Sequence, residues 1–210
     1  MKYRSLIFLS ISVTFLLSCG SDPRSEADRD FEALASRFLE RHLAVHPEDA
    51  TALGDHRFDA RMNDYSRAGV DNDIAFFEAY LDTLRGIRVE TLSPQYMIDY
   101  GILSHNLEES LFELKDLREW EWNPLAYNPG DAVYALIARE FAPVAERMQS
   151  IAGRLRGIPA VLEAARANLQ HPPSIHTQTA ILQNEGTIAL LNVTLQPFIE
   201  QCPADQQKDV

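Results

Sequence analysis

Apolar residues recur along this chain at spacings of three and four, and no long run alternates with a period of two, so the pattern predicts helices almost throughout. Phe31, Ala35, Phe38, His42 and Val45 fall on one face of a first helix that starts near Pro23 or Ser25. Pro47 stops it at or before His46, because a proline pushes the residue before it out of the helical region. Val70, Ile74, Phe77, Leu81 and Leu84 mark a second helix, which Gly86 ends. Ser93 and Pro94 read as an N-cap followed by a first-turn proline. From there Met97, Tyr100, Leu103, Leu107, Leu111 and Leu114 carry the longest stripe in the chain.

The regularity breaks between Trp120 and Gly130, where Pro124, Pro129 and Gly130 predict a structured loop. Asp131 is expected to cap a short helix through Val133, Ile137 and Phe141. Pro143 opens another with Val144, Met148, Ile151 and Leu155. Gly157, Ile158 and Pro159 are expected to divide it from one carrying Leu162, Ala165 and Leu169. His171-Pro172-Pro173-Ser174 forces a turn before a last helix with Ile181, Ile188, Leu191, Leu195 and Phe198. The expected fold class is all-α, an antiparallel multi-helix array of amphipathic helices with short connections.

The first residues follow different rules. Met1-Lys2-Tyr3-Arg4 is basic, and Leu6 to Leu17 are apolar or small, which is the form of a secretory signal and too short for a good membrane-spanning helix. Leu16-Leu17-Ser18-Cys19-Gly20 resembles the bacterial lipobox, in which the cysteine is lipidated and becomes the mature N-terminus. The expected division is a signal peptide over 1–18, lipidation at Cys19, a polar tether over 19–29, a helical region over 30–200 and a polar tail over 201–210. Several acyl chains on one cysteine make anchoring stable, so a membrane is the expected partner. The location implied is the cell envelope, on the outer side of the cytoplasmic membrane or in the outer membrane. Gly20 in place of the aspartate that retains many lipoproteins at the inner membrane leans towards the latter.

The formal net charge of −12 becomes more negative by two once Lys2 and Arg4 are removed, because residues 1–18 contain no acid. Such a domain is repelled by nucleic acid, and no basic patch argues otherwise. With Cys19 acylated, Cys202 has no partner within the chain and is expected as a free thiol.

The chemistry-bearing motifs narrow the function further. A His-Glu-x-x-His helix would place two zinc ligands and a base on one face, but none of the six histidines is followed by glutamate. His42 and His46 have the spacing that could hold two corners of a metal site, yet Leu43 stands where the base would be and no third ligand is evident in the sequence. No nucleophile elbow, phosphate loop or Cys-x-x-Cys is present, and the paired carboxylates merge into an acidic background. Two clusters stand out. Asp55, His56, Arg57 and Asp59 follow Gly54 in a turn, where they can cap and pair locally or line the rim of a cleft. Trp120, Trp122 and Tyr127 can fill space between helices or offer a ligand-stacking surface.

These segments also carry a family resemblance. Pro47-Glu48-Asp49-Ala50-Thr51, leading to Gly54-Asp55-His56-Arg57-Phe58-Asp59, resembles the N-terminal signature of the bacterial family known as domain of unknown function 885. Trp122-Asn123-Pro124-Leu125-Ala126-Tyr127 fits as well, as do Arg154-Leu155-Arg156-Gly157-Ile158-Pro159 and Leu162 to Leu169. Thr177 to Ile181 and Gln183 to Gly186 complete the match, which covers roughly residues 30–200. Members of that family are longer, often lipoproteins, and resemble helical zincin-type metallopeptidases whose zinc motif lies in the C-terminal half. The resemblance implies zinc for the full-length family, but no zinc ligand, catalytic residue or other cofactor site can be carried over to this chain. It further implies an N-terminal fragment, inactive alone, whose missing half or a separate chain would cover an exposed apolar face. The alternative is a surface-anchored helical module that binds a ligand or protein through the aromatic loop.

Overall fold

The computed structural model describes residues 25–204 together with 207 and 208; the signal sequence, Cys19 and the tether up to residue 24 lie outside the described residues. In chain order the helices are α1 (Glu26–Val45), α2 (Pro47–Leu53), α3 (Arg67–Arg85) and α4 (Pro94–Phe112), then α5 (Glu119–Trp122) and α6 (Gly130–Ala138), and finally α7 (Val144–Asn168), α8 (Ser174–Ala189) and α9 (Gln196–Ile199). Among the described residues there is no strand, and no helix is long and apolar enough to cross a membrane.

Local chemistry sets the boundaries. Ser25 caps α1 in a reciprocal box: its hydroxyl accepts from the Asp28 N–H at 3.0 Å and the Asp28 carboxylate accepts from the Ser25 N–H at 3.3 Å. The stretch 26–29, placed in the tether by composition, is therefore the first turn of a helix. Asp28 also accepts from the Ser93 N–H at 2.8 Å, so one buried carboxylate both caps α1 and holds the start of α4. Ser93 is the residue before α4, as its sequence predicts, but its own side chain makes no capping bond. Gly54 ends α2 with φ at 88°, a left-handed turn that suits glycine.

Two apolar clusters organise the helices. Phe31, Leu34 and Phe38 of α1 pack with Phe77, Leu81 and Leu84 of α3, with Leu107 of α4 and with Leu92. Lys115–Glu78 and Arg85–Glu108 ion pairs match rising positions to falling ones, so α3 and the α4 segment run antiparallel. The second cluster joins Val133, Leu136 and Ile137 of α6 to Met148 and Ile151 of α7, with Leu195 and Cys202. Cys202 is a buried free thiol whose S–H donates to the Phe198 carbonyl, so the expected polar tail begins by packing inward.

Several sequence expectations are corrected. Pro159 does not divide a helix, because α7 runs unbroken through it for 25 residues. One lost backbone bond and a ring clash cost about 3 kcal/mol. Burial of Ile151, Val161 and Ala164 on either side offsets this, at roughly 1.5–3 kcal/mol for a fully buried large apolar side chain. Asp131 lies inside the first turn of α6, and the Asn128 side chain accepts from the Gly130 N–H instead; Phe141 falls beyond that helix. The last predicted helix is α8 followed by a wider π-type turn over Leu190–Thr194 and then α9. Ile181 and Ile188 of its stripe are exposed, as are Leu162 in α7 and Met97 in α4.

Two outcomes test this description. Pro159 is exposed within a continuous helix, so Pro159→Ala is expected to raise stability by up to about 3 kcal/mol in urea denaturation, and a loss would show that the proline shapes the helix. The Ser93 N–H, foremost among its donors, holds the Asp28 carboxyl below the usual carboxylate range. Its contribution is thus complete above the unfolded value of about 3.9 and is lost as pH falls through the lower folded value. Asp28→Asn should flatten the acid limb of stability against pH, measured from about pH 5 downward.

Candidate functional site

α7 presents Arg147, Arg154, Val161 and Asn168 to the interior at intervals of seven residues, and three of these four are polar. Each polar one binds the backbone of a neighbouring segment. Arg147 donates to the carbonyls of Leu136, Ile137, Arg139 and Ala142, closing the C-terminal end of α6. Asn168 donates to the Tyr65 carbonyl at 2.8 Å and to the Tyr127 hydroxyl at 3.1 Å. Arg154, fully buried, donates to the carbonyls of Ala132 and Pro47 and to the Thr51 hydroxyl.

From Arg154 a chain of hydrogen bonds leads to the surface. The Thr51 hydroxyl accepts from the guanidinium at 2.5 Å and donates to Asp59 Oδ1 at 2.6 Å. Asp59 Oδ2 lies 2.9 Å from His56 Nδ1, and the His56 ring lies flat on Phe141 with centroids 3.5 Å apart. A carboxylate only accepts, so this contact assigns the neutral-ring proton to Nδ1 and turns Nε2 into the free edge. Desolvation lowers the Arg154 pKa from its ordinary value, against the opposing pull of the Glu48 and Asp59 carboxylates. The turn can approach α7 closely because two positions have no side chain. A Cβ on Gly153 would stand 2.5 Å from the Ala60 carbonyl oxygen, and one on Gly157 2.7 Å from Met62 Cγ.

Glu48 closes the other side of the turn. Its carboxylate accepts from the Asn63 N–H at 2.9 Å and the Tyr65 hydroxyl at 2.8 Å, while its own N–H donates to Asn63 Oδ1 at 3.2 Å. Burial, reinforced by Glu48, pushes the Tyr65 phenol far above its ordinary pKa and keeps it a donor.

The four residues read from the sequence as one cluster are thus split. His56 and Asp59 face inward to Thr51 and Arg154. Arg57 turns outward, bonded to Asp55 and to Glu40 of α1. Asp55 also accepts from the Arg57 N–H, as a cap does. Thr51 and Arg154 were missed as site residues although both lie in the motifs; a hydrogen bond spanning 103 residues leaves no local signal.

The aromatic loop is tied to the fold at each ring. The Trp120 and Trp122 indoles donate to the carbonyls of Leu114 and Leu117, groups left over where the chain widens into a π-type turn at Glu113–Leu117. Arg67 and Arg118 lie over the Trp120 ring at 4.7 and 5.4 Å, which occupies the surface a stacking ligand would use. Tyr127 is buried and donates to the Trp120 carbonyl at 2.5 Å. Beside it, Leu162, Ala165 and Leu169 of α7 and Ile181 and Ile188 of α8 line an apolar groove of about 480 Å³.

His42 and His46 sit at the end of α1 with ring centroids 4.4 Å apart, His42 beside Asp49 and His46 beside Asp73. Among the described residues no three His, Cys, Asp or Glu side chains converge on one point as a metal-holding group.

The family described as "Bacterial protein of unknown function (DUF885)" matches residues 47–210, beginning at the proline that opens α2. Among solved structures, the chain is similar to a candidate lipoprotein of unknown function from Shewanella oneidensis, with 25% identity and a TM-score of 0.80. The likeness covers 85% of this chain and 33% of that one, so this chain spans about a third of that relative's length. No functionally curated protein matches.

The contrast between the inner and outer arginines is measurable. Arg154→Leu strips the Pro47 and Ala132 carbonyls of their buried donor and leaves Asp59 without its nearby cation. It is expected to cost about 3–5 kcal/mol in urea denaturation. Arg57→Ala removes more ionic contacts, yet its exposed position means the midpoint should scarcely move.

Proposed function

This chain belongs to the bacterial protein family of unknown function DUF885, and we propose that it is the lipid-anchored N-terminal helical part of a cell-envelope protein, a scaffold for a larger body. The observation that carries this reading is the apolar groove between α7 and α8. Ile181, Ile188 and Leu162 stand in water there, and α8 itself carries only Glu185 as a charged side chain between Ser174 and Ala189. A chain this acidic that leaves open a largely apolar face, with Glu185 as its one charged lining residue, is built to have that face covered. The solved relative has ample further length to cover it, since two thirds of its chain lies outside the match.

On this reading the metallopeptidase-like chemistry implied by the resemblance, with its zinc, belongs to the larger body, and this part by itself cleaves no peptide. The hydrogen-bonded turn around Thr51, Asp59 and Arg154 keeps the scaffold rigid beneath it. The candidate-lipoprotein description of the solved relative agrees with the lipobox at Cys19, which supports a place in the cell envelope, anchored by lipid.

Metabolic labelling of the full chain in a bacterial host with a tritiated fatty acid tests the anchor. Label and membrane association are expected for the wild type, and both should vanish in Cys19→Ala; label that persists would remove the lipid anchor from the proposal. A second arm tests the open face. Ile181→Asp with Ile188→Asp should lower binding of a hydrophobic dye and leave helical content and thermal midpoint unchanged, whereas unfolding would mean that the face is already internal.

A further inference from the structure

We propose that the cleft between α1, the polar turn and α3 binds a small organic acid, with its carboxylate held by Arg41 and Arg61 and its carbon body on Phe76 and Tyr80. The cleft has a volume of about 560 Å³, which falls within the range of about 300–1,000 Å³ usual for small-molecule sites. Val45 of α1 and Ala75, Phe76, Ala79 and Tyr80 of α3 supply its apolar lining. It shares no residue with the groove between α7 and α8.

The two arginines call for an anion. Elsewhere on this acidic surface Arg57, Arg67, Arg85, Arg118 and Arg166 pair with carboxylates. Arg41 and Arg61 pair with no carboxylate among the described residues. Each lies over a phenyl ring instead, Arg41 over Phe76 at 5.6 Å and Arg61 over Phe58 at 5.7 Å. A ring beneath a guanidinium attracts it through the π face and leaves the planar N–H fork open to a carboxylate. Arg41 comes from α1 and Arg61 from the turn, so two separate elements bring positive charge to one cleft.

The two acids of the lining have neighbours of their own. The Asp64 carboxylate accepts from the Ser66 N–H at 3.0 Å, and Asp73 Oδ1 stands 3.3 Å from His46 Nε2, within ion-pair distance. The latter contact makes no hydrogen bond, so His46 Nε2 is a buried polar atom that a ligand oxygen can satisfy. A bare inorganic anion would meet the arginines but leave the aromatic lining empty. A planar carboxylate on an apolar body uses both, because it matches the guanidinium fork and covers the rings. The net charge of −12 opposes the approach of any anion at long range, so the affinity expected is modest.

Titration of the detergent-solubilised full chain, its arginine side chains isotope-labelled for NMR, with phenylpropionate and with hexanoate tests the site. The expected result is a saturable shift of the Arg41 and Arg61 N–H signals, with Kd below about 1 mM for at least one of the two acids. Arg41→Gln and Arg61→Gln should each weaken binding by about tenfold or more through the loss of charge-assisted hydrogen bonds. Arg67→Gln, at an exposed arginine paired with Asp71, should leave it unchanged. Both cleft arginines are exposed, so helical content should hold in the variants. If it does not, the wild type carries the test: phenylpropionamide, with the same body and no charge, and inorganic phosphate should each bind at least about tenfold more weakly than the acid. No saturable binding of either acid, undiminished binding in the double arginine variant, or an amide or phosphate that binds as tightly as the acid would each overturn the proposal.

Discussion

The fold depends on Arg154. A guanidinium with no exposed surface is expensive to bury, and the cost is offset here because its two terminal nitrogens meet the carbonyls of Ala132 and Pro47 and the hydroxyl of Thr51, while Nε stays unpaired. Those acceptors belong to α6 and α2, so one side chain of α7 holds two elements that meet nowhere near each other in sequence. The same helix repeats the device seven residues earlier with Arg147 and fourteen residues later with Asn168. Arginine suits the first two positions because its planar fork reaches several carbonyls at once. An apolar spine would bury more cheaply, but it would leave those carbonyls without donors.

Around this spine the two apolar clusters do ordinary work. The α1–α3–α4 group and the α6–α7–α9 group are each closed by aliphatic and aromatic contacts, and they are non-directional. The polar turn over residues 54–65 lies between them and must be placed by direction. It is pinned by Glu48 at one end, by the Thr51–Asp59–His56 chain in the middle, and by the two glycines of α7 that let Ala60 and Met62 approach. The glutamate, threonine, aspartate and histidine of the motif that opens the family match thus hold the turn in place, Glu48 through Asn63 and Tyr65 and the other three through one another.

The unsatisfied parts of the structure are therefore informative. The polar groups of the turn and of the aromatic loop find partners, whereas Ile181 and Ile188 of α8 are exposed, and among the described residues single nitrogens of His42, His46, Arg154 and His176 are buried without a hydrogen-bond partner.

Helical class and the positions of α1, α3 and α4 were legible in the sequence, because periodicity and proline act within a few residues. The unbroken α7 was not legible. Local propensity argues for a break at Pro159, and only the packing of Ile151 in one apolar cluster before it and of Val161 in another after it outweighs it. Likewise α8 has a helical stripe that the sequence assigns to a core, but among the described residues no neighbour covers Ile181 and Ile188. For the candidate sites, the sequence by itself determined which residue types were available: the Asp55–Asp59 turn, the aromatic loop, and two histidines four apart. Tertiary structure alone decided their partners. Thr51 and Arg154 meet across 103 residues, and Asp73 reaches His46 from a different helix, because hydrogen bonds and charge pairs are set by distance in space, on which sequence separation has no hold.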